Sequence, residues 1–317
     1  MITCLFGDNK YELPNSWEEL SQDQYLALVP LINRMMSGDL TLSQVRIKWV
    51  KQILGLKRVK VKSRMEEIAA DNLYTLSRQV NFFYYVDYGD AAKSISSEVR
   101  RMVRKTPAED FVTTNSEIRY LQSLDYTFQL DAVWVKNLLP TLKIGKKHYQ
   151  GWSATVEGGM LITDMTTQQF TQGYDLLLSI NKGQVNSAMR LLVCVLYGVD
   201  QNADLVQDDV LQAVTLNFQA FVSFIFTKTR YSVLWNRDLP AKPNRKVSTG
   251  MSEAIYGLCN NGYGSYDQIE QMPLMTYLSI LLSDLISSVR NMKEMDMKID
   301  KISEKTGLPY DVIIQML

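Results

Sequence analysis

The sequence holds a single histidine, His148, and three cysteines, Cys4, Cys194 and Cys259, with no C-x-x-C pair. A His/Cys zinc cage therefore lacks ligands. Any Ser-His or Cys-His dyad would have to use His148, which sits in a Lys-Lys-His turn with no G-x-S-x-G context. Widely spaced, odd-numbered cysteines read as reduced thiols. A charge excess is missing as well, since 34 Lys and Arg balance 34 Asp and Glu. A chain that coats nucleic acid carries a basic surplus. The strongest apolar runs, 218–226 and 274–289, fall short of the roughly 20 residues that cross a bilayer, and Ser279, Ser283 and Asp284 interrupt the second. The opening residues lack a basic stretch followed by a long apolar core, so no signal peptide is expected. No Walker A, G-x-G-x-x-G or D-x-D-x-D-G loop occurs. Gly158-Gly159 reads as a chain turn, Gly262-Tyr-Gly264 as a loop fragment, and Asp204, Asp208 and Asp209 as caps or solvation of a helix start. The expectation is a non-enzymatic chain with no cofactor and no metal.

What the sequence does contain is a module written twice. Cys4-Leu-Phe-Gly7-Asp-Asn-Lys-Tyr11 and Leu142-Lys-Ile-Gly145-Lys-Lys-His-Tyr149 each read as a short hairpin: apolar strand, Gly turn, aromatic on the return. A helix start follows in each copy, Ser21-Gln-Asp-Gln-Tyr25 and Thr166-Thr-Gln-Gln-Phe170, whose hydroxyls can cap the first unpaired N–H groups. Apolar residues then recur at helical spacing: Tyr25, Leu28, Ile32 and Met35, against Phe170, Tyr174, Leu177 and Ile180. Gly38 and Gly183 stop these helices. A second helix, 42–54, matches 185–197, with Arg46 opposite Arg190 and Gly55 opposite Gly198. The third pairs Ile68 with Val210 and ends with Val80-Asn-Phe82-Phe83-Tyr84 against Val222-Ser-Phe224-Ile225-Phe226.

After the second copy, Pro273 suits the first turn of a long helix. Leu274, Leu278, Leu281, Leu285, Met292, Met295, Ile299 and Ile302 follow at spacings near a 3.5-residue repeat, broken only at Ser288. Such a helix either packs on the chain's own modules or offers a seam to a helix of a client or a second copy. On the second reading Leu274, Leu278, Leu281, Leu285, Met292 and Met295 are the partner-binding residues. The closing segment around Gly307 and Pro309 reads as a turn and a docking helix. It resembles half of a helix-turn-helix only superficially, because Asp311-Val-Ile-Ile offers little to base edges. Two basic strips remain, Lys57 to Arg64 and Arg100 to Lys105. The first alternates with valine and reads most simply as an edge strand or solvated loop, with a phosphate-facing strip as the competing reading. Trp17, Trp134, Trp152 and Trp235 stand near element boundaries, where aromatics are more often core corners than binding anchors.

Trp17-Glu-Glu-Leu20-Ser-x-x-Gln24-Tyr25-Leu26 resembles the opening of proteins encoded beside tail genes in tailed bacteriophages and prophages. Ile255-Tyr256, Gly262-Tyr-Gly264, Met272-Pro273 and Tyr277-Leu278, followed by a Lys/Glu/Met-rich helix, are similar to tail assembly chaperones. That resemblance implies a helical protein of the bacterial host cytoplasm that binds and solubilises the tape measure protein before the tail tube forms around it. The chain departs from many such chaperones in its length and its duplication, so no site residue is carried over. The competing expectation is a structural subunit of a phage or phage-like tail or virion. The expected architecture is mainly α with small β-hairpins: a first hairpin-plus-helices module over 1–89, a helical connector over 90–140, the second module over 141–237, a linker over 238–250, and a C-terminal helical segment over 251–317. The expected partner is a tape-measure-like helical client, or a second copy joined through the C-terminal helix. No membrane is expected, and nucleic acid is disfavoured.

Overall fold

The computed structural model describes residues 1–6, 9–56, 64–183, 185–199, 206–235 and 251–317. The turn at Gly7, the basic strip over 57–63 with the Arg64 side chain, Asp204, and the linker over 238–250 lie outside the described residues. The protein is mainly α with small two-stranded antiparallel hairpins. It divides into two units, Met1–Ala132 and Val133–Leu317.

The first unit opens with a hairpin, β1 (Ile2–Phe6) and β2 (Asn9–Leu13), then α1 (Gln22–Met36), α2 (Leu42–Ile53) and α3 (Arg64–Arg78). It continues with β3 (Tyr84–Asp87), α4 (Ser97–Val103), α5 (Ser116–Gln122) and β4 (Thr127–Leu130). β3 and β4 pair antiparallel, with Tyr84 opposite Leu130 and Asp87 opposite Thr127. Most of the expected connector over 90–140 is thus folded into this unit. Val99, Val103, Ile118 and Leu121 form a core with Val86, Tyr88 and Ile95. The expected match at the end of the third helix also fails. α3 stops at Arg78 and the chain leaves through two tight turns, Gln79 N to Leu76 O and Val80 N to Ser77 O. The run Phe82-Phe83-Tyr84-Tyr85-Val86 is aromatic and β-branched, and it fits a pleated, half-buried surface better than a helix.

The second unit carries two hairpins, β5 (Thr141–Ile144) with β6 (Lys147–Gln150) and β7 (Ala154–Glu157) with β8 (Met160–Thr163). Next come α6 (Thr167–Asn181), α7 (Val185–Tyr197) and α8 (Asp208–Lys228), then α9 (Ser252–Asn260), α10 (Tyr266–Glu270), α11 (Leu274–Glu294), α12 (Ile299–Thr306) and α13 (Tyr310–Met316). α1, α2, α6 and α10 all start with the same reciprocal cap. Ser21, Thr41, Thr166 and Ser265 each accept from the backbone N–H three residues on, and Gln24, Gln44, Gln169 and Gln268 reach back. Gly38, Gly55, Gly183 and Gly198 take left-handed φ where helices end, a conformation that strains other residues. Each unit also buries a tryptophan after its first hairpin. Trp17 meets Phe82 edge-on at 5.2 Å, and Trp152 meets Phe218 at 6.0 Å.

α8 is the one helix among the described residues with the length and hydropathy to cross a membrane. Its apolar side chains are accounted for inside its own unit: Leu211, Val214, Phe218, Phe221 and Ile225 are buried.

In the first unit Asp131, just past β4, is a charged anchor. Its Oδ2 accepts from Lys105 Nζ at 2.8 Å and from Arg104 Nη2 at 2.9 Å, while Lys105 also donates to the Tyr84 and Phe82 carbonyls. Burial alone would push the Asp131 carboxyl up. Bonds and charge from Lys105, then Arg104, outweigh it, so the net shift is downward. A carboxyl depressed on folding stabilises the fold above its unfolded value, about 3.9, and loses that contribution as pH falls through the folded value. Asp131→Asn is therefore expected to cost about 1–3 kcal/mol at neutral pH. Urea unfolding at pH 7 and near pH 2 checks this: the gap between variant and parent must close in acid. An equal gap at both pH values would remove the charge from the account.

Candidate functional site

The seam read from the sequence is mostly core. Leu274 and Leu278 are fully buried at the start of α11, and Leu285 is 7% exposed. Leu281 and Met292 are half-buried, and only Met295 lies open to solvent. The apolar spacing does not run along one helix. α11 ends at Glu294, Asp296 takes a left-handed φ of 56°, and α12 starts only at Ile299. The turn folds α12 and α13 back on α11, so Leu285 and Val289 meet Ile302, Leu308, Ile313 and Met316. Arg290 Nε donates to the Met316 carbonyl at 2.9 Å and fixes the end of α13. Apart from Met295, the residues proposed for a partner helix are buried or half-buried, and the six candidates do not converge on one open surface.

An open concave surface of this unit is a groove of about 730 Å³. One wall is the β7–β8 hairpin, through Val156, Met160 and Leu161. The other is α8's last turns with the segment after it, through Phe224, Lys228, Thr229, Arg230 and Tyr231. Met275, Thr276 and Ser279 of α11 complete the lining. Local sequence explains the hairpin: Gly158 and Gly159 both take positive φ, as a two-residue primed turn requires. The register sets Val156 opposite Leu161 and Glu157 opposite Met160. Leu161 is buried, whereas Val156 and Met160 stay 45% and 68% exposed. α8 ends where Thr229 takes an extended backbone and its hydroxyl donates to the Ile225 carbonyl at 2.7 Å.

The groove's polar groups are already engaged with one another. Tyr231 is buried, and its hydroxyl lies 2.9 Å from Ser279 Oγ. Arg230 Nη2 donates to that hydroxyl at 2.8 Å, and the guanidinium sits over the Tyr231 ring. Ser279 Oγ also donates to the Met275 carbonyl at 2.7 Å. Lys228 is exposed, and neither it nor Arg230 meets a carboxylate among the described residues. The surface thus combines adaptable methionines with an uncompensated positive rim.

Sequence reasoning missed this site. Met275 lies off the Leu/Met spacing of α11, and Val156 and Met160 sit on short strands that read only as turn flanks. The available signal was the unbroken apolar run Met160-Leu161-Ile162 after the Gly158-Gly159 turn, since successive strand residues face opposite ways and a strand with Leu161 inside turns Met160 and Ile162 outward. His148 stands exposed on β6 opposite Lys143 and has no place in the groove. Trp235 stacks on Phe226 at 4.0 Å, and Trp134 is buried with its Nε1 bonded to Asn217. No family model matches the chain, and no curated protein or solved structure matches it either.

Proposed function

We propose that this protein is a non-enzymatic assembly factor of a tailed phage or prophage, which seats an amphipathic helix of the tape measure protein in the groove between β7–β8, the end of α8 and α11. The groove itself carries the reading: an open trough of mixed apolar and polar lining, with two methionines and two cations that meet no carboxylate among the described residues. Methionine side chains adjust to varied apolar anchors, and Lys228 and Arg230 complement acidic residues flanking those anchors. A tape measure is a long amphipathic helix that aggregates unless its apolar face is covered. The resemblance of the Trp17–Leu26 and Ile255–Leu278 motifs to tail assembly chaperones points to the same client. Capture occurs in the host cytoplasm, before the particle forms.

Met160→Glu combined with Lys228→Glu tests this. Both side chains are exposed, so the melting temperature is expected to stay within a degree or two of the parent. The variant places two carboxylates where the client brings its own. Its affinity for an amphipathic tape-measure fragment, measured by calorimetry, is expected to fall at least about tenfold, which is about 1.4 kcal/mol. Unchanged affinity would remove the groove from the reading. Recovery of the chain in stoichiometric amount from purified particles would favour a structural subunit instead.

A further inference from the structure

The basic strip at Arg100 and Arg101 belongs to a second groove, in the first unit, that the proposed client does not use. α4 buries Val99 and Val103 in the core, and this orientation sends Arg100, Arg101 and Arg104 to its exposed side. The three guanidinium groups border a cavity of about 360 Å³ whose floor is Val86, Tyr88, Ala92, Ile95 and Val103. Arg104 is committed to Asp131 and lies 5.2 Å over the Tyr85 ring. Arg100 and Arg101 meet no carboxylate among the described residues. The lining's one acidic residue, Asp87, accepts the Gly89 amide at the following turn. Two exposed arginines beside an apolar hollow do nothing for the core beneath them, and their mutual repulsion is left uncompensated.

We propose that this groove binds an acidic protein segment, one that seats a large apolar side chain on the Val86–Ile95–Val103 floor while its flanking carboxylates pair with Arg100 and Arg101. The geometry favours a peptide over a nucleic acid. Sequence-tolerant binding of single-stranded nucleic acid combines a basic groove with open aromatic faces on which bases stack. The Tyr85 face is covered by Arg104, and Tyr88 is buried with its hydroxyl accepting the Ala108 amide at 2.6 Å. An apolar floor of this size suits one aliphatic or aromatic side chain, and guanidinium groups pair with carboxylates through two parallel bonds.

Fluorescence anisotropy of the full chain tests the site with three labelled probes: a peptide alternating Glu and Leu, its counterpart with Gln for Glu, and an oligo(dT) strand. The Glu/Leu peptide is expected to bind and to weaken with salt. Arg100→Glu with Arg101→Glu should weaken it at least about tenfold. Both side chains are exposed, so the circular dichroism of the variant should match the parent's. Arg100→Gln with Arg101→Gln gives the same comparison without added repulsion. Ala92→Phe, which fills the floor and leaves every charge in place, is expected to weaken the peptide as well. Equal binding of the Gln probe, tighter binding of oligo(dT), or indifference to the arginine variants would each overturn the assignment.

Discussion

Replacing Asn217 by leucine is expected to lower the melting temperature of the second unit by roughly 10 °C. Asn217 sits in the middle of α8 and is 1% exposed. Its Oδ1 accepts from Trp134 Nε1 at 3.0 Å and from the Leu138 amide at 3.2 Å, and its Nδ2 donates to Asn137 Oδ1 at 2.7 Å. Asn137 in turn donates to the Trp152 carbonyl at 2.8 Å and accepts from the Leu139 amide at 2.9 Å. The segment from Trp134 to Leu139 lies outside the strands and helices, and these two side-chain amides accept its Leu138 and Leu139 N–H groups inside the core. A near-isosteric leucine keeps the volume and strands two buried donors. Each costs about 1–3 kcal/mol, so roughly 2–6 kcal/mol in sum, and 1 kcal/mol moves a unit of this size by about 2–4 °C. Differential scanning calorimetry checks the shift. Trp134→Phe in the same background removes one stranded donor and should restore part of the loss, a coupling that independent sites do not show. Gly151 adds an independent sign of tight packing here, because a Cβ on it would lie 2.6 Å from Tyr197 Cε1 and 2.9 Å from Asn137 Nδ2.

Leu278→Ala is expected to destabilise the second unit by about 2–5 kcal/mol, the range for a leucine emptied from a close-packed core. Leu278 is fully buried in α11. The same substitution on a partner-facing seam would leave the isolated chain near its parent stability and act only on binding. Urea unfolding of the purified chain separates the two: a midpoint unchanged from the parent would return Leu278 to a binding role, against the structure. Met295→Ala, at 69% exposure, is the matched control and should stay within about 0.5 kcal/mol.

Leu278 also shows how far periodicity reaches. The spacing of Leu274, Leu278, Leu281 and Leu285 correctly announced a helix with one apolar face, and Pro273 its start. Periodicity states that a face must be covered but not by what. At the Leu285 end that was settled by Asp296, a non-glycine residue in a left-handed conformation, which reverses the chain and lays α12 and α13 over it, while the start of α11 packs against β8 and α6. The third helices illustrate the same limit. Val80–Tyr84 and Val222–Phe226 have similar apolar content, yet one passes into β3 and the other stays inside a long helix. Strand pairing with residues 127–130, over forty positions away, is a non-local interaction that local spacing cannot encode.

Caps, glycine stops, the Gly158-Gly159 turn and the helix faces were determined by the sequence alone. They rest on interactions between residues a few positions apart, where hydrogen-bond geometry and steric limits act without reference to the rest of the chain. The division at Ala132, the burial of the Leu/Met face, the asparagine pair and both grooves were decided only by tertiary structure. Each depends on side chains brought together from distant segments, and which apolar surfaces remain open is a property of the packed whole.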